Sequence, residues 1–203
     1  MGALAVAAHP KKATDLHATL AFTDESGFLL APLARRSQAP RGRTPAPRVR
    51  ARQRDKVSVA AALTLSPGRG HVGLRYQTYP GHYVNNELYA HFLRNLLWHV
   101  PGDLVLLHDG GNMHKGPPIR AVASDFPRLH LYCLPPYAPE LNPPEYLWTY
   151  EKYHRLPNFV PTDVPQIDAT VCAELEEVRH DQPRLKTFFA SSPLPWNNTT
   201  LVF

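Results

Sequence analysis

Apolar residues recur along the chain in runs of strand length, separated by turn-forming glycines and prolines. The alternation and the turn signals predict strands at 17–23, 56–65, 72–79, 103–108 and 129–134. Asp24 then falls at the end of the first strand, just before a Ser-Gly turn, and Asp109 follows the fourth strand. The first three strands are consecutive, and they predict an antiparallel meander.

Helical spacing is clearest at 85–100, where Leu88, Phe92 and Leu96 recur every four residues. Asn85 or Asn86 can cap the start of this helix, and Pro101-Gly102 ends it. Further helices are predicted at 117–125, 145–155, 166–178 and 184–190. The order of elements predicts a mixed α/β fold around a central sheet.

The length of the chain, 203 residues, favours one main domain. We assign residues 18–190 to it, residues 1–17 to a leader or linker and residues 191–203 to a flexible tail. Hydrophobic residues make up 43% and charged residues 19%, which is a globular composition, and no apolar run is long enough to cross a bilayer. The only cysteines, Cys133 and Cys172, form no CxxC spacing, so a reduced cytoplasmic protein is predicted.

Arginines are concentrated between positions 35 and 54, interleaved with prolines that argue against a helix. The formal net charge is +5. Such a segment is either a plain solvated loop or a strip that follows DNA phosphates, because the guanidinium group offers forked donors. The residues predicted to contact DNA here are Arg41, Arg43, Arg48 and Arg50.

Three carboxylates stand at element ends, namely Asp24, Asp109 and Glu145. If the first and fourth strands pair, the two aspartates lie side by side, and Glu145 begins a helix beside that edge. Taken singly, each has an ordinary explanation, as a turn former or as a partner of a helix dipole. Together, their like charges would repel unless divalent cations such as Mg²⁺ or Mn²⁺ neutralised them.

The sequence around these carboxylates resembles a known family. The stretches LVLLHDGGNMHKG and LYCLPPYAPELNPPEYLW are similar to two blocks of the mariner-like bacterial insertion-sequence transposases of the DDE superfamily. Asp109 and His114 match the first block, and Glu145 and Trp148 match the second, with 35 residues between Asp109 and Glu145. A third block is matched by Asp24, Glu25, Gly27 and Phe28, and then by Gly42 and Pro45.

The resemblance implies a ribonuclease-H-like core, a mixed five-stranded sheet with three antiparallel strands followed by two parallel ones. It also implies metal-dependent cleavage and transfer of DNA strands, with Asp24, Asp109 and Glu145 as catalytic ligands of two Mg²⁺ or Mn²⁺ ions. His114 and Lys115 join the arginines as candidate DNA contacts, although His114 could equally order its turn. Trp148 is expected to pack its helix on the sheet.

The sequence departs from the family pattern at a few positions. Gly110 stands where the family has asparagine, Gln38 where it has tryptophan and Pro144 where it has isoleucine. Family members usually carry an N-terminal helix-turn-helix region, and the residues before Asp24 are too few for one. We expect that this region either lies on a separate polypeptide or has been lost.

The remaining expectations also come from the resemblance. We expect the chain to form a homodimer that binds transposon ends and target DNA. We also expect it to be associated with the nucleoid in the cytoplasm. The alternative is a catalytically inactive DNA-binding remnant. A ribonuclease-H-like nuclease with another role, such as a resolvase, is disfavoured by the LPPYAPELNPPE block.

Overall fold

The computed structural model of the protein describes residue 13 and residues 15–31, 55–68 and 70–194. The strands are β1 (Thr19–Leu29), β2 (Lys56–Leu65), β3 (Val72–Pro80), β4 (Leu104–His108) and β5 (Leu129–Cys133). The helices that follow β3 are α1 (Asn86–His99), α2 (Pro117–Asp125), α3 (Pro143–Tyr150), α4 (Val164–His180) and α5 (Gln182–Ser191). Short 3-10 turns lie at Asn112–His114 and Pro139–Leu141.

The strands form one mixed sheet in the order β3-β2-β1-β4-β5. Strands β1, β2 and β3 pair antiparallel, whereas β4 runs parallel to β1 and β5 runs parallel to β4. The predicted class, a five-stranded sheet of three antiparallel and two parallel strands, is therefore confirmed. Because β4 lies beside β1, the chain places its first and fourth strands at the centre of the sheet.

Helices cover both faces of this sheet. On one face, α3, α4 and α5 pack through residues such as Leu147, Val171 and Phe189 against Phe22 and Leu107. On the other face, α1 and α2 pack against a different set of side chains, which includes Ala60 and Ala62 of β2. Alternate residues of each strand thus enter separate cores, because successive side chains of a strand point to opposite faces of the sheet.

Several element boundaries predicted from the sequence are confirmed. Strand β2 spans 56–65 and α2 spans 117–125, and Asn85 caps α1 by accepting a hydrogen bond from the Leu88 backbone N–H at 2.9 Å. Ala13 and Leu194, near the two ends of the described residues, are both buried in the core.

The predicted end of the first strand is wrong. We expected β1 to stop at Asp24, before a Ser-Gly turn, but the strand continues to Leu29. Strand β2 supplies the reason, because it pairs with β1 without interruption from Leu20↔Leu65 to Leu29↔Lys56. Asp24 therefore lies in the middle of a strand, where it pairs with Ala61 of β2.

The helix that carries Glu145 has two parts. Helix α3 ends at Tyr150, and a π-helical turn, Glu151–Arg155, follows it directly. The sequence predicted a single helix through 155. In the part of the chain that the structure describes, no helix has the length and apolarity needed to cross a bilayer.

Candidate active site

The two aspartates are brought together by the parallel pairing of β1 and β4. The register matches Phe22 with Leu107, so that two residues farther along each chain Asp24 and Asp109 reach the same level. Phe22 and Leu107 share one face of the sheet, and Asp24, two residues on, points to that face as well. The sequence-based expectation that the two aspartates become neighbours depended on this pairing.

Asp24 is a buried carboxylate with a tryptophan partner. Its exposed fraction is 8%, and its Oδ2 accepts a hydrogen bond from the indole Nε1–H of Trp148 at 3.0 Å. Burial raises the pKa of Asp24 to about 8, and the negative charges of Glu145 and Glu25 add to the effect. A nearby cation would therefore relieve a real electrostatic penalty at this carboxylate.

Asp109 is held by the backbone of the loop that follows β4. Its Oδ1 accepts a hydrogen bond from the Gly111 N–H at 2.9 Å. A Cβ atom on Gly111 would stand only 2.9 Å from the same oxygen, so a larger residue could not occupy position 111 without moving the carboxylate. The close approach of the Asp109 carboxylate thus explains why glycine stands at position 111.

His114 connects Asp109 to a second acidic residue. The side chain is 1% exposed; its Nδ1 lies 2.6 Å from Asp109 Oδ1, and its Nε2 lies 3.0 Å from Glu25 Oε1. Both ring nitrogens face acceptors, which favours the doubly protonated ring. Burial lowers the pKa of His114, but the hydrogen bond and charge of Glu25 and the charge of Asp109 more than offset it, so the pKa is raised.

A second layer of aromatic contacts fixes the His114 ring. Tyr89 of α1 packs on it with 4.4 Å between ring centroids, and His108 packs on it at 4.7 Å. The Tyr89 hydroxyl is in turn hydrogen-bonded to Thr23 Oγ1 at 2.7 Å, next to Asp24 in the chain. The His114 ring is therefore enclosed by Tyr89 and His108 and is turned away from solvent.

Glu145 lies in the first turn of α3, which begins with Pro143 and Pro144. Prolines suit the first turn of a helix because their φ is already fixed and no backbone donor is lost. Burial raises the pKa of Glu145; the positive charge of Lys152 opposes this effect and the negative charge of Asp109 adds to it. Glu145 is thus electrostatically coupled to Asp109, while Asp24 is coupled to Glu145.

Asp24, Asp109 and Glu145 line one cleft with a volume of about 340 Å³. Within the described ranges, no three histidine, cysteine or acidic side chains lie close enough together to enclose a metal ion. The donor set nevertheless suits Mg²⁺ or Mn²⁺, which prefer carboxylate and amide oxygens. Asn142 adds to this set, because it also lines the cleft and its buried Oδ1 has no hydrogen-bond partner among the described residues.

The predicted DNA contacts are distributed unevenly. Lys115 is exposed at the end of the turn that carries His114, whereas the His114 ring is buried. The arginine segment, with Arg41, Arg43, Arg48 and Arg50, lies outside the described residues.

Sequence reasoning missed two contacts that hold the carboxylates in place, one of them direct and the other through His114. Glu25, which anchors His114, follows Asp24 directly and was matched only as part of a block. Trp148 was expected to pack α3 on the sheet, and it does, edge-on to Phe28 at 6.2 Å between centroids. Its hydrogen bond to Asp24 could have been suspected, since residues three apart on a helix share a face and Trp148 stands three residues after Glu145.

Comparisons with known proteins agree with this architecture. A family model described as DDE superfamily endonuclease matches residues 19–166. A search of curated proteins found no match. Among solved structures, the catalytic domain of Mos1 mariner transposase is similar with 16% identity and a TM-score of 0.62, covering 98% of this chain and 88% of that one.

Longer Mos1 structures resemble the chain to a similar degree. The Mos1 transposase paired-end complex with the left transposon end has 19% identity and a TM-score of 0.65, and the Mos1 mariner paired-end complex with Mn has 19% identity and a TM-score of 0.67. In both cases the match covers 98% of this chain and 59% of that one, so the chain spans about three fifths of their length.

These likenesses establish the ribonuclease-H-like arrangement of the sheet and helices. The family model covers well over half of the chain, including all three carboxylates of the cleft. The chain therefore belongs to the DDE superfamily of endonucleases.

Proposed function

We propose that this chain is the catalytic domain of a DNA transposase, in which Asp24, Asp109 and Glu145 hold divalent cations for the cleavage and transfer of DNA strands. The observation that carries the proposal is that these three carboxylates, from three separate sequence blocks, line a single cleft. Their shared electrostatic cost, expressed in the raised pKa values of Asp24 and Glu145, supports a role in binding cations.

The residues around the cleft have distinct duties in this scheme. Trp148 orients Asp24, and Gly111 and His114 orient Asp109, so that neither carboxylate is free to rotate away. The proline pair before Glu145 fixes the start of α3. When bound, Mg²⁺ or Mn²⁺ ions supply Lewis acidity toward the attacking and leaving oxygens of a phosphodiester.

Nicking of supercoiled plasmid in the presence of Mn²⁺ tests the proposal. Asp24→Asn, Asp109→Asn and Glu145→Gln should each abolish nicking, because each removes a proposed ligand while keeping the side-chain shape. Glu140→Gln is the matched control, since Glu140 belongs to the same sequence block but is exposed. Thermal unfolding checks that all variants fold, and undiminished nicking by the three ligand variants would rule out the triad.

The expected DNA partners are transposon ends and a target site. We propose that Arg41, Arg43, Arg48 and Arg50 supply nonspecific phosphate contacts, while a separate helix-turn-helix polypeptide reads the end sequence. We also propose that the chain acts as a homodimer associated with the nucleoid of a bacterial cytoplasm.

Salt and size measurements test these partners. Duplex affinity should fall steeply with salt, and replacing the four arginines by alanine should flatten that dependence. Sedimentation of the chain with end DNA tests the dimer. A flat salt response of the unaltered protein would remove the arginine segment as a DNA surface.

A second candidate function is DNA binding without cleavage. It is favoured by one observation, namely that Gly110 stands directly after Asp109 where the family pattern has asparagine. A protein of this kind would bind duplex DNA in a salt-dependent way yet leave supercoiled plasmid intact at every Mn²⁺ concentration. The plasmid assay therefore separates the two candidates directly.

A further inference from the structure

Tyr137 projects an aromatic ring into solvent at the cleft that holds the carboxylates. Its side chain is fully exposed, with a relative accessibility of 101%, yet it is one of the residues that line this cleft. A tyrosine on a proline-rich loop more often serves packing, and full exposure argues against that role for Tyr137. A single exposed aromatic residue is ordinary on a protein surface and does not by itself indicate a function.

The backbone of Tyr137 is also unusual. Its φ is +58°, in the left-handed region that disfavours bulky side chains, and it is one of only three non-glycine residues with positive φ in the described part of the chain. Glycine or asparagine would adopt this conformation at lower cost. The conformational strain of a tyrosine at this position is not offset by burial of its ring. Backbone strain that no packing contact offsets is typical of residues that contact a ligand.

The loop that carries Tyr137 is anchored at both ends. Before it, the buried Leu134 donates its N–H to the carbonyl oxygen of His108 at 2.7 Å, directly beside Asp109. After it, the buried Leu141 donates its N–H to the Ala138 carbonyl oxygen at 3.1 Å. Pro135 and Pro136 stiffen the segment further. The backbone that carries the ring is therefore held at a defined place relative to the proposed catalytic carboxylates.

The lining of the cleft indicates what the ring would contact. One part of the lining is acidic, from Asp24, Asp109 and Glu145, and another part is apolar, from Pro135, Pro136 and Ala138. A DNA strand offers chemistry to both parts, because its phosphates pair with cations held by carboxylates and its bases present flat apolar faces. Base stacking is tolerant of sequence, since every base has such a face.

We propose that Tyr137 is a stacking platform for an unpaired nucleobase of the DNA strand that enters the cleft, next to the phosphate at the carboxylates. This assignment rests on the proposed function for the identity of the strand. Tyr137 would thereby set where the strand lies, and it would favour DNA that is frayed or distorted at the reacting position over a perfectly paired duplex.

Binding of a short single-stranded oligonucleotide, followed by fluorescence anisotropy in Ca²⁺, tests the proposal. Tyr137→Phe keeps the ring and should bind as the unaltered protein does. Tyr137→Asn tolerates the left-handed backbone but has no ring, and it should bind roughly 5- to 150-fold more weakly, the range expected for losing one stacked base. On an oligonucleotide of the same length made of abasic residues, the two variants should bind equally.

Equal affinity of Tyr137→Phe and Tyr137→Asn for the normal oligonucleotide would overturn the proposal, as would an affinity difference that persists on the abasic one. Thermal unfolding of Tyr137→Asn should occur at the same temperature as the unaltered protein or higher, because the strain is relieved. Mn²⁺-dependent plasmid nicking by the unaltered protein keeps the outcomes separate. If the protein nicks plasmid but the two variants bind the normal oligonucleotide equally, only the stacking proposal is wrong. If the variants differ in binding but the protein does not nick plasmid, only the proposed cleavage is wrong.

Discussion

Replacing Glu151 by glutamine should stabilise the protein at alkaline pH and change its stability little near pH 5. Glu151 lies in the π-helical turn behind α3, is 0% exposed, and has no hydrogen-bond partner for either carboxyl oxygen among the described residues. Burial raises the pKa of Glu151 to about 8; the negative charges of Glu174 and Glu177 add to this, and the positive charge of Arg155 opposes it. Arg155 is itself paired with Glu174 and Glu177.

The sign of the effect follows from proton linkage. A carboxyl whose pKa is higher in the folded state than the ordinary 4.5 binds its proton more tightly when folded. Its contribution to stability is complete below pH 4.5 and is lost as the pH rises toward 8, where the folded state also ionises. At about 1.4 kcal/mol for each pKa unit, complete linkage corresponds to about 5 kcal/mol. Relaxation and water entry reduce such penalties, so we expect a loss of about 2–4 kcal/mol.

Urea denaturation between pH 5 and pH 9 measures this loss. The difference in free energy of unfolding between Glu151→Gln and the unaltered protein should be within about 1 kcal/mol at the acidic end and grow to about 2–4 kcal/mol at the alkaline end. The exposed Glu140→Gln variant controls for the removal of a carboxyl group and should show no such growth. A constant difference across the pH range would refute the reasoning, because it would mean that folding does not change the ionisation of Glu151.

Two further predictions concern the carboxylates of the cleft. Trp148→Phe leaves Asp24 Oδ2 buried without its indole donor, and the free energy of unfolding should fall by about 1–3 kcal/mol in urea denaturation; a loss below about 0.5 kcal/mol would contradict the importance of that hydrogen bond. Glu25→Gln removes the anionic partner of His114 Nε2, so the pKa of the His114 ring, followed by NMR of its carbon-bound protons, should fall from its raised value; an unchanged titration would argue against the bridge.

Much of the architecture could be predicted because it depends on local patterns. Strand β4 is a short apolar run that ends in a polar residue, and α1 shows a helical period with an asparagine cap and a Pro-Gly end, so each carries its own boundaries. The extension of β1 to Leu29 could not be predicted in this way. The Ser26-Gly27 pair favours a turn locally, but pairing with β2 at Ser26↔Val59 and Gly27↔Ser58 satisfies the backbone and overrides that preference.

The candidate site divides along the same line. Asp109 and Glu145 could be proposed because each stands in a specific sequence block. Asp24 could be proposed from a shorter block and from the condition that the first and fourth strands pair. The groups that orient them join distant parts of the chain, as Trp148 does to Asp24 and His114 to Glu25. No local pattern encodes such contacts, so the supporting network emerges only in the folded chain.

The position of Asp24 within β1 has a consequence for how the cleft would change shape. Strand β1 pairs with β2 through Asp24 and beyond, and with β4 as far as Phe22, so Asp24 cannot shift without breaking the sheet. Asp109, by contrast, follows the last residue of β4. Glu145 lies on the short helix α3, which contacts the sheet only through side chains. If the proposed function holds and cations draw the three carboxylates together, Asp24 would stay in place, and the movement would fall to the loop after β4 and to α3. The distance between a spectroscopic label on α3 and one on β2 should therefore shorten when cations are added, because α3 moves while β2 stays in place.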